Sequence, residues 1–530
     1  MTDRSVSAAT LRDWLHDGGE IALLDVSDGG PFADAHILAA SNLPPGALEV
    51  TVTRLVPRRS TRVVVTDVDG RGARAVANRL RDGGYDDVRV LDGGNTAWER
   101  AGYRLFSGSN IVSKAFGELV EAECSTPHLD AHELARWQAE GREFFLVDSR
   151  PLAEYRTVSL PGGVNCPGAE LVYRLPQVVT DPTVPVVVNC AGRTRSIIGS
   201  QSLRDAGLPN PVFALKNGTM GWQIAGLEVA NGRSNMVPEP QSDGLSRARE
   251  LAAGVAERGS IRSIDWSTLS AWRTDPGRTT YVFDVRQSDA YEFGHVPGSS
   301  HAPGGQLVQA TDTFAAVRNA RIVLVDDHGV QAVMTAHWMA RMGWDVSVLA
   351  DAADHMTERG PEQTPALVSV SPEVAMIDAA GLAALVEAGA CEVIDVGESY
   401  WYRQGRIAGS WYTKRRAIPT SLERFSRDRT LVFVCASGSV SPHIAGDAVS
   451  MGFRDVRWLD GGRSAWRREG LPMEAIDMDD DDRLLSATDD MWYPPWSRKE
   501  GAREAMEEYL SWEVDLLGPV SEETYVRFRI

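Results

Sequence analysis

The stretch VVVNCAGRTRS, residues 186–196, places a thiol at the end of an apolar run and follows it with a glycine and two arginines. A turn that runs from a strand end straight into a helix aims backbone N–H groups and the positive helix end at its first residue. A helix terminus contributes about 0.3–2 kcal/mol to a nearby negative charge. Added cations and N–H donors can bring a thiol from about 8.5 into the roughly 3.5–7.5 range of reactive cysteines. Cys190 has both aids, in Arg193 and Arg195. The stretch LVFVCASGSV, residues 431–440, repeats the pattern at Cys435 with a neutral loop, Ala436, Ser437, Gly438, Ser439 and Val440. A buried cysteine can also be a small hydrophobe. Here each cysteine opens the turn instead of lying within the strand, and both are candidate nucleophiles. Cys124, Cys166 and Cys391 lack such a turn and are expected to be inert.

The elements that would position these thiols recur four times. Apolar strands end in Asp25, Asp148, Asp284 and Asp395; further strands end at Asp67, Cys190, Asp326 and Cys435, which lie 42, 42, 42 and 40 residues on. Each segment closes on a related phrase: LDGGNTAW (91–98), LKNGTMGW (215–222), LADAADHM (349–356) and LDGGRSAW (459–466). Short apolar strands alternating with amphipathic stretches such as RGARAVANRLRDGG predict an α/β fold, with a mainly parallel sheet flanked by helices in each repeat. Ligands on such sheets sit at the carboxyl ends of strands, where the thiols fall. The expected boundaries are 1–106, 127–233, 260–360 and 373–475, with 476–530 as an acidic linker (MDDDD, 478–482) and an aromatic, helical tail. That tail is expected to pack as a strap on the last repeat, the alternatives being a subunit contact or an active-site cover.

The chain has 530 residues, 54 basic and 73 acidic, for a net charge of −19. This balance, without a basic stripe, argues against nucleic acid as a partner. No run approaches a membrane span and the N-terminus lacks a signal-peptide core, so no membrane partner and a cytoplasmic setting are expected. Five scattered cysteines suit neither a disulfide framework nor a metal site, and no cofactor motif is present.

The aspartate-ended strand, the cysteine turn and the terminal glycine–glycine–tryptophan phrase resemble the rhodanese family of sulfurtransferases over about residues 5–475. The resemblance implies that Cys190 attacks the outer sulfur of thiosulfate, releases sulfite, and holds a persulfide for a thiol or protein acceptor. It implies that Ala191, Gly192, Arg193, Thr194 and Arg195 line the substrate loop, with both arginines binding the donor's anionic group. Ala436, Ser437, Gly438, Ser439 and Val440 carry over as the loop of the last repeat, which is similar to loops of mercaptopyruvate sulfurtransferases. Arg150, next to Asp148, is an expected second anion contact, and Gly397 occupies its place in the last repeat. Related phosphatases have a loop one residue longer, with arginine six positions after the cysteine. Here arginine is at five and Ser196 at six, which favours sulfur chemistry.

The first and third repeats carry Asp67 and Asp326 where the family has cysteine, so neither can form a persulfide. The alternation of aspartate and cysteine repeats looks like a tandem enzyme duplicated end to end. Other readings from the same residues are a persulfide carrier fed by a protein desulfurase, and a non-catalytic binding or regulatory scaffold.

Overall fold

The computed structural model describes residues 4–476, 482–498 and 500–530. Of the acidic run MDDDD, residues 478–481 lie outside the described residues. Four parallel sheets share one strand order. In the second repeat it runs His128–Leu129, Val212–Leu215, Val186–Asn189, Phe145–Asp148, Val164–Asn165. In the fourth it runs Val374–Ile377, Val456–Leu459, Thr430–Val434, Cys391–Asp395, Trp411–Tyr412. The strand that ends at the thiol is central in each, with helices covering both faces. Strands so enclosed read as continuous apolar runs, and Val186–Asn189 and Val63–Thr66 are buried throughout.

Register explains the recurrent spacing. Asp148 pairs with Asn189, Asp395 with Val434, Asp25 with Thr66 and Asp284 with Val325. Each buried aspartate therefore lies on the neighbouring strand, beside the last residue before the loop.

The chain divides into two compact units. One holds residues up to Asp13, Ile21–Ser109 and Thr364–Tyr493; the other holds Trp14–Glu20, Asn110–Gln363 and Pro494–Ile530. The first repeat thus joins the fourth, and the second joins the third. Each unit does combine an aspartate repeat with a cysteine repeat, but across the chain instead of between the consecutive halves of an end-to-end duplication.

Within the first unit, Arg415 of the fourth repeat bonds Glu49 of the first at 2.5 Å and its own Asp447 at 2.7 Å. Arg79 of the first repeat, half-buried, closes the same network onto Glu49 and Asp447. Within the second unit, the helix Ser242–Arg258 buries Ala248, Ala252 and Val255 on one face, at helical spacing. They join a continuous core that runs from Val186 and Val188 of the second repeat to Val330 and Met334 of the third.

The tail divides: its first part packs on the last repeat as expected, Leu484 bridging Tyr412 and Asp490 accepting the Ser399 N–H at 2.8 Å. Its helix Ala502–Asp515 belongs to the second unit and packs Met506 and Leu510 against Met220 of the second repeat. This helix covers the Cys190 loop, the alternative of an active-site cover.

Candidate active site

Both cysteine loops are held from below by the terminal glycine phrase. The helix Gly218–Ile224 donates the N–H of Thr219 to the Cys190 carbonyl at 2.9 Å and that of Met220 to Ala191 at 2.9 Å. In the fourth repeat, Arg463 and Ser464 donate to Cys435 and Ala436 at 2.9 and 3.0 Å. The approach is so close that a Cβ on Gly218 or Gly462 would press into the cysteine's own carbonyl oxygen, and both have left-handed φ values of 52° and 57°. Glycine is required there by contact and by conformation together.

In the aspartate repeats the loop N–H groups converge on the carboxylate. Asp67 accepts from Gly70, Gly72 and Ala73 at 2.5, 2.9 and 3.2 Å. Asp326 accepts from Gly329, Val330 and Ala332 at 2.9, 2.8 and 3.3 Å. Cys435 takes the same seat: its sulfur accepts the Gly438 N–H at 3.2 Å and its thiol donates to Ser441 Oγ at 3.4 Å. Ser441 is six residues after its cysteine, as is Ser196, whose hydroxyl and N–H face Cys190. These two serines lie in the first turn of the helix after each loop, and their contact with sulfur was not apparent from sequence. The loop around Cys435 presents Ala436, Ser437 and Ser439 to solvent, with Gly438 buried and Val440 half-buried.

Cys190 is 2% exposed. Burial raises its thiol pKa, opposed by the Arg195 charge and the Ser196 contacts and reinforced by Glu513 of the tail. This reverses the low pKa expected from the loop alone, because burial disfavours the charged thiolate. Cys124, Cys166 and Cys391 are also raised by burial, Cys391 to about 11.

The cationic side chains expected to bind an anion are engaged elsewhere. Arg193 forks onto Glu118 with two 2.7 Å bonds and also reaches Glu121. Arg195 forks onto Glu154 at 2.7 and 2.8 Å, leaving it beside Cys190 but charge-paired. Arg150 forks onto Asp148 at 2.9 and 2.7 Å and donates to the Val158 carbonyl. The third repeat holds the identical pair, Arg286 on Asp284 at 3.0 and 2.6 Å, without any cysteine. The Arg150 pair thus recurs in a repeat that carries no thiol. Sequence could not reveal this, since Glu118 and Glu154 reach the loop arginines only through packing.

In the fourth repeat Gly397 leaves Asp395 without such a neighbour, and Arg463 fills the role from the terminal helix, 3.1 Å from Asp395 Oδ2. A Cβ on Gly397 would sit 3.1 Å from Arg463 Nη2 and 3.5 Å from Cys435 Cα, so the guanidinium lies beside the cysteine. The arginine in GGRSAW, where the second repeat has Thr219, was the available signal. In all four repeats the buried aspartate accepts the N–H two residues on, through Ser27, Arg150, Arg286 and Gly397. Trp222 and Trp466 are buried in the cores.

This combination of parallel sheet, aspartate partner and strand-end loop defines a repeated α/β anion-loop domain. The Rhodanese-like domain family matches residues 7–101, 130–225, 266–354 and 378–469, and the chain belongs to that family. The crystal structure of a thiosulfate sulfurtransferase from Pseudomonas aeruginosa aligns over 99% of this chain and 99% of its own, with a TM-score of 0.92 and 41% identity. The thiosulfate sulfurtransferase GlpE of Pseudomonas fluorescens is 38% identical over 84 residues, covering 16% of this chain and 76% of that protein. The HTH-type transcriptional regulator Rv0324 of Mycobacterium tuberculosis is 36% identical over 100 residues, and the match spans 43% of that regulator. Among the described residues, no helix is long and apolar enough to cross a membrane.

Proposed function

We propose that the chain is a sulfurtransferase that takes sulfane sulfur from thiosulfate through cysteine persulfides at Cys190 and Cys435. The observation that carries this reading is the common seat at the strand end. The N–H three residues on, one of three that bind the carboxylate in the aspartate repeats, faces sulfur at Cys435. A seat that accepts a negative side-chain tip suits the terminal sulfur of Cys–S–S⁻. The likeness to two thiosulfate sulfurtransferases supports thiosulfate as donor.

Cysteine thiolate attacks the outer sulfur of thiosulfate, the donor S–S bond breaks, and sulfite leaves with the bonding pair. A thiol or protein nucleophile then attacks the outer sulfur and restores the cysteine. The backbones of Ala191–Arg195 and Ala436–Val440 cradle the persulfide. Arg195 sustains negative charge at Cys190, and Arg463 lies beside Cys435. The neutral, open loop of Cys435 suits a mercaptopyruvate-like donor as well. Five free cysteines suit a reducing, cytoplasmic setting.

Intact mass after incubation with thiosulfate, and separately with mercaptopyruvate, tests the reading. One added sulfur lost in Cys190→Ser or Cys435→Ser assigns the site; no added sulfur from either donor refutes direct transfer from these compounds.

A further inference from the structure

In the tail helix, one turn after Leu510, Glu513 is 2% exposed. Its Oε1 accepts the Thr194 hydroxyl at 2.7 Å. Its Oε2 has no hydrogen-bond partner among the described residues. A Cβ placed on Gly192 would lie 3.1 Å from that oxygen, so the orphaned acceptor abuts the Cys190 loop itself. Buried acceptors are ordinarily satisfied, and one left open at a reactive loop marks where a ligand's donor can sit.

The surrounding charges do not cancel it simply. Arg193 is committed to Glu118 and Glu121, and Arg195 to Glu154. Lys114 lies 5.2 and 4.8 Å from the Tyr509 and Trp512 rings, and burial lowers its pKa to about 8 against the opposing pull of Glu513 and Asp312. A dianion entering this loop meets a carboxylate in a poorly hydrated place, where like charges repel strongly. At the Cys435 loop, Ala436, Ser437 and Ser439 are exposed.

We propose that Glu513 sets the donor preference at Cys190: thiosulfate remains a donor there, slowed by its two charges, relative to an organic persulfide, RS–SH, whose S–H meets Oε2. The naming of this donor rests on the sulfur-transfer reading above; the charge discrimination does not. In the transfer the Cys190 thiolate attacks the outer sulfur and a new S–S bond forms. The donor's S–S bond breaks, and RS⁻ leaves with the bonding pair. Cys190 is left as the hydropersulfide, Cys–S–SH.

The test compares reagents matched in size but not in charge. Site-resolved alkylation by iodoacetate and iodoacetamide is measured at Cys190 and Cys435 in the full chain. The iodoacetate-to-iodoacetamide rate ratio should be about tenfold lower at Cys190 than at Cys435. Glu513→Gln should raise the Cys190 ratio about tenfold, while any change in thiol ionisation affects both reagents alike and cancels. In parallel, loading of Cys190 by thiosulfate and by 2-hydroxyethyl hydropersulfide is followed by mass, with Cys435→Ser present. Glu513→Gln should speed loading by thiosulfate relative to the persulfide by a similar factor. Equal ratios at the two cysteines, or a Cys190 ratio unmoved by Glu513→Gln, overturn the proposal. Alkylation that responds to Glu513→Gln, with no sulfur ever loaded, supports charge discrimination and overturns the sulfur-transfer reading instead.

Discussion

The Gly329 N–H donates to Asp326 Oδ1 at 2.9 Å, three residues after the strand end, in the place where Gly438 donates to Cys435 Sγ at 3.2 Å. The aspartate repeats thus hold a carboxylate in a loop that elsewhere holds the cysteine sulfur. Asp326→Ala should leave buried N–H groups unpaired and cost about 1–3 kcal/mol, read as a lower denaturation midpoint.

Cys190 has a raised thiol pKa because burial outweighs Arg195 and Ser196. Its reaction with neutral iodoacetamide should keep rising at pH values where an exposed model thiol has already levelled off. Arg195→Gln should move the profile further up, since it removes the leading cause that lowers the pKa. Glu513→Gln should move it down, since it removes a cause that raises it. A profile that moves the other way in either variant would contradict this account.

Asp395 and Arg463 form a buried pair that replaces the Asp148–Arg150 arrangement. Arg463→Thr should strand the Asp395 carboxylate and destabilise the fourth repeat by about 3–5 kcal/mol. Adding Gly397→Arg to that variant reinstates the second repeat's arrangement and should recover much of the loss in thermal unfolding. No recovery would mean that Arg463 acts through packing alone.

Gly462→Ala combines a left-handed φ of 57° with a Cβ pressed into the Cys435 carbonyl. The conformational cost alone is about 1–2 kcal/mol. The loop should shift, and alkylation of Cys435 should change while that of Cys190 does not. Gly218→Ala should produce the converse result.

The repeats, the parallel α/β class, the strand ends and the two cysteine loops were legible because each rests on local physics. Period, spacing and turn chemistry act over a few residues, and Asp148 meets Asn189 through register between neighbouring strands. The roles of Arg193, Arg195 and Arg150 were not legible in the same way. A guanidinium next to a thiol in sequence says nothing of which carboxylate will reach it, and Glu118 comes from a helix 75 residues upstream.

The sequence by itself determined which side chains could act as nucleophiles and which loops had lost theirs, since a missing thiol cannot be restored by folding. Only the tertiary structure decided that the first repeat pairs with the fourth and the second with the third. It alone placed Glu513 against Gly192 and Thr194, more than 300 residues away in the chain. The physical reason is one of range: hydrogen-bond geometry within a loop is set by adjacent residues, whereas burial and net charge at a thiol are sums over everything packed around it.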